Sequence, residues 1–129
     1  MSLNNEDGVI EMQINETAEG FSALGNETRI GIFRLLVQAG ERGLPTGRIA
    51  GEIKIPLSTL AHHLDALTKA RLVSQHKSGR EVTNTANFTV LHALINYLTE
   101  NCCQGLPPEQ PEADLVESLD ASDKEFIQS

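Results

Sequence analysis

The chain has 129 residues, 40% of them hydrophobic and 22% charged, with five aromatics, no Trp and a net charge of −8. This is the size of one domain and the composition of a globular protein, with no apolar run near the roughly 20 residues that a membrane-spanning helix needs. The first twenty residues carry five acids and no Lys or Arg, so the basic leader of a secreted or mitochondrial protein is not expected. The two cysteines are adjacent and offer no disulfide framework, so a cytoplasmic chain with a reduced thiol pair is expected. Few aromatics leave little for stacking single-stranded bases. A Gly-rich phosphate loop, a nucleophile elbow and a His-Glu metal motif are all missing. No enzymatic chemistry and no required cofactor is therefore expected.

Residues 1–14 are polar, acidic and aperiodic, and read as a flexible N-terminus. A short helix is predicted from Asn15, with Ala18, Phe21 and Leu24 on one face and Gly25 as its stop. Asn26 caps a second helix in which Ile30, Phe33, Leu36 and Val37 recur at spacings of three and four, closed by Gly40 and Gly43. Leu44-Pro45-Thr46 leads into a third, capped by Thr46 and burying Ile49, Ala50 and Ile53. Lys54-Ile55-Pro56 makes a tight turn, since proline ends one helix and is tolerated at the start of the next. A fourth helix, about Leu57–Ala70, buries Leu57, Leu60, Leu64 and Leu67. Two extended runs, Val73–His76 and Glu81–Thr85, are joined through Gly79, which supplies the positive φ of a hairpin loop. Asn87 caps a last helix with Leu91, Leu94, Ile95 and Leu98 in register, running to about Cys103 and stopped by Gly105 and Pro107-Pro108. The domain thus spans 15–105, and 106–129 is an acidic, largely flexible tail in which Leu115 and Leu119 suit a further turn of helix.

The fold class expected is mainly α with a small β-hairpin wing: a winged helix-turn-helix, α-α-α-α-β-β-α. The charge is unevenly spread. Residues 106–129 hold seven acids against Lys124, whereas 21–105 hold nine bases against six acids. Ser58–Arg80 carries Lys69, Arg71, Lys77 and Arg80 against Asp65 alone. Local positive potential is what phosphate binding needs, and screening over about 8–10 Å separates it from the acidic ends. The N-terminal half of the fourth helix exposes small, hydrogen-bonding residues that suit close approach to major-groove bases. The candidate DNA-contacting set is Thr46, Ser58, Thr59, His62, His63, Lys69, Lys77 and Arg80. The alternatives are that Ser58 caps its helix and that His63 packs beside its own turn. Leu91, Leu94, Ile95 and Leu98, with Phe21 on the first helix, form a candidate dimer seam, because a small core would not cover them all.

The segments FSALGNETRIGIFRLL and GRIAGEIKIPLSTLAHHLDALTKARLVSQHKSGREV resemble the core of the ArsR/SmtB winged-helix repressors over about residues 16–105. The resemblance implies a homodimer, built mainly by the first and last helices, on double-stranded DNA with a palindromic operator. Members commonly release DNA on binding a metal or metalloid. The Cys-x-Cys of arsenite sensors is replaced here by Pro45 and Gly47, and His92 lacks the Asp that zinc sensors pair with it. Adjacent His62 and His63 diverge by about 100° on a helix and cannot clasp one ion. Cys102-Cys103 remain, in a segment resembling the C-terminal thiol pair of arsenical-responsive members. Soft thiolates favour trivalent arsenic or antimony, and two sulfurs suit an organoarsenical whose carbon fills the third position. A redox or reactive-sulfur sensor using the same thiols, thiols without a sensing role, and a winged-helix protein-interaction module stay open as alternatives.

Overall fold

The structure, a computed structural model, describes residues 12–109. Five helices and three strands follow one another as α1 (Ile14–Leu24), α2 (Glu27–Ala39), β1 (Leu44–Pro45), α3 (Thr46–Ile53), α4 (Leu57–Lys69), β2 (Val73–Ser78), β3 (Glu81–Ala86) and α5 (Phe88–Thr99), with a 3₁₀ turn at Gly40–Arg42. This is the expected order of helices and hairpin, with β1 added. The expected turn through Leu115 and Leu119 lies outside the described residues.

The helix starts follow from capping chemistry. The side chains of Asn26 and Asn87 accept from the backbone amides of Arg29 and Val90, at 3.1 and 3.2 Å, filling donors that a helix leaves open at its first turn. Thr46 is not the cap that its sequence position suggests. Pro45 holds that place with extended dihedrals, and Thr46 is the first helical residue. The ends of α3 and α4 dispense with glycine: Lys54 and Arg71 turn the chain at φ 66°. After α4, Arg71 N–H bonds to the Thr68 carbonyl and Leu72 N–H to the Leu67 carbonyl, the paired bonds of a Schellman stop. Leu67 and Leu72 are both fully buried beneath it.

The core gathers one face from every helix: Ala23, Ile32, Phe33, Leu36, Ile49, Leu60, Leu64, Leu67, Val90 and Leu94, closed at the wing's base by Leu72, Val73 and Ala86. Several expected core positions fall elsewhere. Ala18 is exposed, and α1 buries Thr17, Gly20 and Ala23 instead. Leu94 of α5 packs on Gly20, its methyl carbons 2.7–2.8 Å from where a Cβ would stand, so a larger residue there would displace the Leu94 side chain. Ile30, Val37 and Leu57 are 46%, 39% and 59% exposed. On α2 the buried line is shifted to Ile32, Phe33 and Leu36, whereas Leu57 lies in the first turn of α4, ahead of the part that the core covers.

The sheet order is β1-β3-β2, all antiparallel, with Leu44 opposite Asn84 and Ser78 opposite Glu81. The hairpin turn is only Gly79-Arg80, two residues shorter than expected, with Gly79 at φ 64°, the glycine-first arrangement of a II′-type loop. Gly43 is the tightest point behind the wing: its φ is 67°, its ψ −168°, and a Cβ there would collide with the backbone carbonyl of Asn84. Gly40 shares the unusual backbone, φ 72° and ψ −149°, with nothing near it. Gly40→Ala is therefore expected to cost about 1–3 kcal/mol through backbone strain alone. Gly43→Ala should cost clearly more, because the neighbouring carbonyl must also move. Urea unfolding of the two variants measures the difference.

Candidate nucleic-acid interface

α4 presents two chemically different sides. Leu60, Leu64 and Leu67, at spacings of four and three, are buried, and the helix packs against α1, α2, α3 and β2. Its N-terminal half turns Ser58, Thr59, Ala61 and His62 to solvent. Pro56 holds the cap position without a side-chain bond, so Ser58 is not engaged in capping. The structure thus gathers Ser58, Thr59 and His62 on one open helical surface of hydroxyls and an imidazole. Lys77 and Arg80 are exposed at the far end of the wing and form no ion pair among the described residues.

The wing is anchored through one polar residue. Asn84 of β3 is fully buried; its amide nitrogen donates to the Leu44 carbonyl at 3.1 Å and the Thr46 hydroxyl at 3.0 Å, and its oxygen accepts from Gln75 at 2.8 Å. Both of its N–H donors and its oxygen are engaged by β1, α3 and β2, which ties the wing to the helix-turn-helix.

Three of the expected DNA contacts are not placed on this surface. Thr46 is half-buried with its hydroxyl committed to Asn84, and its own hydrogen points to the Val82 carbonyl at 3.5 Å. Lys69 stands in the last turn of α4, paired with Asp65 at 3.0 Å, and lines a cleft of about 240 Å³ together with Glu16, Glu19 and Arg71. Its ammonium pairs with Asp65 on the exposed surface of the same helix. His63 faces inward, and its Nδ1 accepts from Arg29 Nε at 3.2 Å. Arg29 also donates to the Ala23 carbonyl at 3.3 Å. Sequence reasoning missed Arg29, because its partner is 34 residues away and no periodicity links them.

The expected dimer residues also divide. Leu94 is fully buried within the chain, and Phe21 and Leu91 are half-buried against the core, whereas Ile95 and Leu98 are 49% and 65% exposed. Leu94 is thus a core residue rather than part of an open seam, held there by the notch at Gly20. Ile14 of α1, 72% exposed, joins the open apolar set.

Cys102 and Cys103 lie beyond α5, which stops at Thr99 rather than near Cys103. The helix cannot continue because Glu100 is extended and Asn101 and Cys103 take φ of 62° and 65°. Cys102 is therefore off the helical stripe of Leu91, Ile95 and Leu98. Both thiols are free and exposed, with their sulfurs 3.0 Å apart. The hydrogen bond shared with Cys103, and then partial desolvation, raise the Cys102 pKa above its ordinary value. Two adjacent sulfurs are a soft, bidentate donor set. Among the described residues no group of three or more His, Cys, Asp or Glu is placed to hold a metal ion.

A helical core, a short-turn helix pair with an open second helix, and a hairpin with a cationic tip define a winged helix-turn-helix DNA-binding domain. A family model for a helix-turn-helix domain matches residues 24–76. The transcriptional repressor SdpR of Bacillus subtilis (strain 168) is 33% identical over 78 residues, which cover 60% of this chain and 83% of SdpR. An ArsR-like transcriptional regulator from Rhodococcus sp. RHA1 superposes with a TM-score of 0.61 at 29% identity, covering 70% of this chain and 82% of that one. The homodimeric winged helix-turn-helix DNA-binding domain Mb0332 of Mycobacterium bovis gives 0.55 at 26% identity, covering 75% and 90%. The chain belongs to the ArsR-type family of winged helix-turn-helix transcriptional regulators. No helix among the described residues is long and apolar enough to cross a membrane.

The Arg29 contact requires His63 neutral at Nδ1. Burial first, then the Arg29 guanidinium and His62, hold its pKa below the ordinary 6.5. The unfolded chain takes up this proton more readily than the folded one. The stability from neutral His63 is therefore complete above pH 6.5 and is lost as the pH falls through the lower folded-state value. Urea midpoints measured from about pH 7 down to about pH 5 should fall more steeply for the wild type than for His63→Asn, which keeps an acceptor but cannot titrate.

Proposed function

We propose that the protein is a homodimeric repressor that binds a palindromic operator through α4 and the wing, and is released when a thiophilic inducer binds Cys102 and Cys103. The observation that carries the DNA-binding part is the open Ser58–Thr59–His62 surface on a helix otherwise sealed into the core. Exposed Ile14, Ile95 and Leu98 on α1 and α5 support a dimer, as does the likeness to a homodimeric DNA-binding domain. Paired half-sites would lie about 34 Å apart, one helical turn of DNA. In this arrangement Ser58, Thr59 and His62 approach base edges and phosphates, and Lys77 and Arg80 hold the flanking backbone. The inducer reading rests on two exposed sulfurs in contact. A trivalent organoarsenical needs two sulfurs; inorganic arsenite or antimonite would take its third ligand from solvent or another thiol. A second reading, in which the same pair responds to oxidants or reactive sulfur, is favoured by the same proximity.

Selection of duplexes from a random library by the full chain, followed by gel shift of the selected duplex, tests the reading. Affinity should fall steeply with salt, and Lys77→Ala and Arg80→Ala should each lower the salt slope by about one for every phosphate that the side chain neutralised. Failure to select a duplex, or binding that ignores salt, would point to a protein-docking module instead. The Cys102→Ser/Cys103→Ser variant should bind the selected duplex as the wild type does. It should also lose the release, roughly 5–150-fold for switches of this kind, that a methylated trivalent arsenical produces. Parallel titrations with arsenite, zinc and a polysulfide separate the inducer classes. Unchanged release of the double variant removes the thiols from the mechanism.

A further inference from the structure

The apolar contacts of α4 define which side of the helix is buried, but they define its roll only loosely. Leu60, Leu64 and Leu67 are all leucine, and apolar burial carries no angular preference of the kind a hydrogen bond has. A directional contact adds to the definition of where Ser58, Thr59 and His62 point. Among the described residues, a single side-chain hydrogen bond joins α4 to another element, and it is the one from Arg29 Nε to His63 Nδ1 at 3.2 Å. The other polar contacts of α4 side chains, Thr68 to the Asp65 carbonyl and Lys69 to Asp65, stay within the helix.

Arg29 is itself fixed at both ends. Its backbone amide is held by the Asn26 side chain, and its Nη1 grips the carbonyl of Ala23 near the end of α1. One guanidinium therefore spans the end of α1 and the middle of α4 from the first turn of α2. His63 stands next to His62, with the two rings edge-on at a centroid distance of 6.0 Å, and one helical turn after Thr59. A roll of α4 that swung His63 away from Arg29 would carry the exposed residues with it.

We propose that Arg29 and His63 form a latch that sets the roll of α4, making His63 a positioning residue for operator binding rather than a contact to DNA. The proposal rests on α4 being the DNA-reading helix. The latch works only with the imidazole neutral and its proton on Nε2, because a proton on Nδ1 would oppose N–H to N–H, and a doubly protonated ring would also oppose one cation to another. The ionisable groups that act on the ring are Arg29 from α2 and His62 from its own helix, and both favour that neutral form.

The test is a double-mutant cycle on the full chain, using the duplex selected from the random library. Arg29→Met and His63→Ala are each expected to weaken binding about tenfold, and the double variant no more than either single one, since both remove the same interaction. His63→Asn, whose side-chain oxygen replaces Nδ1 as acceptor, should stay within about threefold of the wild type. The salt slope should be unchanged in all of these variants, because every phosphate keeps its cation. Two-bond ¹H–¹⁵N spectra of the imidazoles should show His63 as the Nε2–H tautomer in the wild type and a mixture in Arg29→Met. Multiplicative losses in the double variant, His63→Asn as weak as His63→Ala, or a lowered salt slope would overturn the latch. Ser58→Ala and His62→Ala provide the separate control: if they leave affinity intact, α4 is not the reading helix, whereas if they weaken it and the latch variants do not, the latch alone fails.

Discussion

α4 can offer an open side to a nucleic acid only because its other side is sealed. Leu60, Leu64 and Leu67 contribute almost no exposed surface, and burying a leucine is worth about 1.5–3 kcal/mol each. The three side chains belong to one buried cluster with Ile32 and Leu36 of α2 and Ile49 of α3. Everything else about the interface is adjustment of a helix already held in place by this contact. The three-residue turn at Lys54-Ile55-Pro56 keeps α3 close, and the left-handed Arg71 directs the chain from α4 straight into the wing.

Polar contacts then supply the angular definition that apolar packing lacks. Asn84 ties β3 to β1, α3 and β2 with three bonds from one buried amide. Arg29 ties α1 to α4. Such groups are costly to bury unless satisfied, and among the described residues no buried side-chain polar atom lacks a partner. Their value lies in direction, since a hydrogen bond weakens steeply with angle where a leucine contact does not.

Much of this fold was legible in the chain, and the limits of that legibility have physical causes. Asn26 and Asn87 announce helix starts because amide side chains fill open backbone donors, and both do so. The leucine spacing of α4 and the glycine of the wing turn were equally readable. The phase of α1 was not, because its buried line runs through Thr17, Gly20 and Ala23, and Gly20, packed against Leu94, carries no hydrophobic signal. β1 escaped notice because two residues are too few for an alternation, and Leu44-Pro45 become a strand only beside β3. In the candidate site, the open residues of α4 followed from periodicity. The inward commitments of Thr46, His63 and Lys69 did not, since each depends on a partner whose position the sequence leaves open until the chain has folded.

The notch at Gly20 has a mechanical meaning. Leu94 packs against the bare backbone of Gly20, so a displacement of α5 along α1 would have to repack this contact, and close-packed surfaces tend to shift in discrete steps. The side chain that a larger residue at position 20 would displace belongs to the same helix that leads into the thiol-bearing turn.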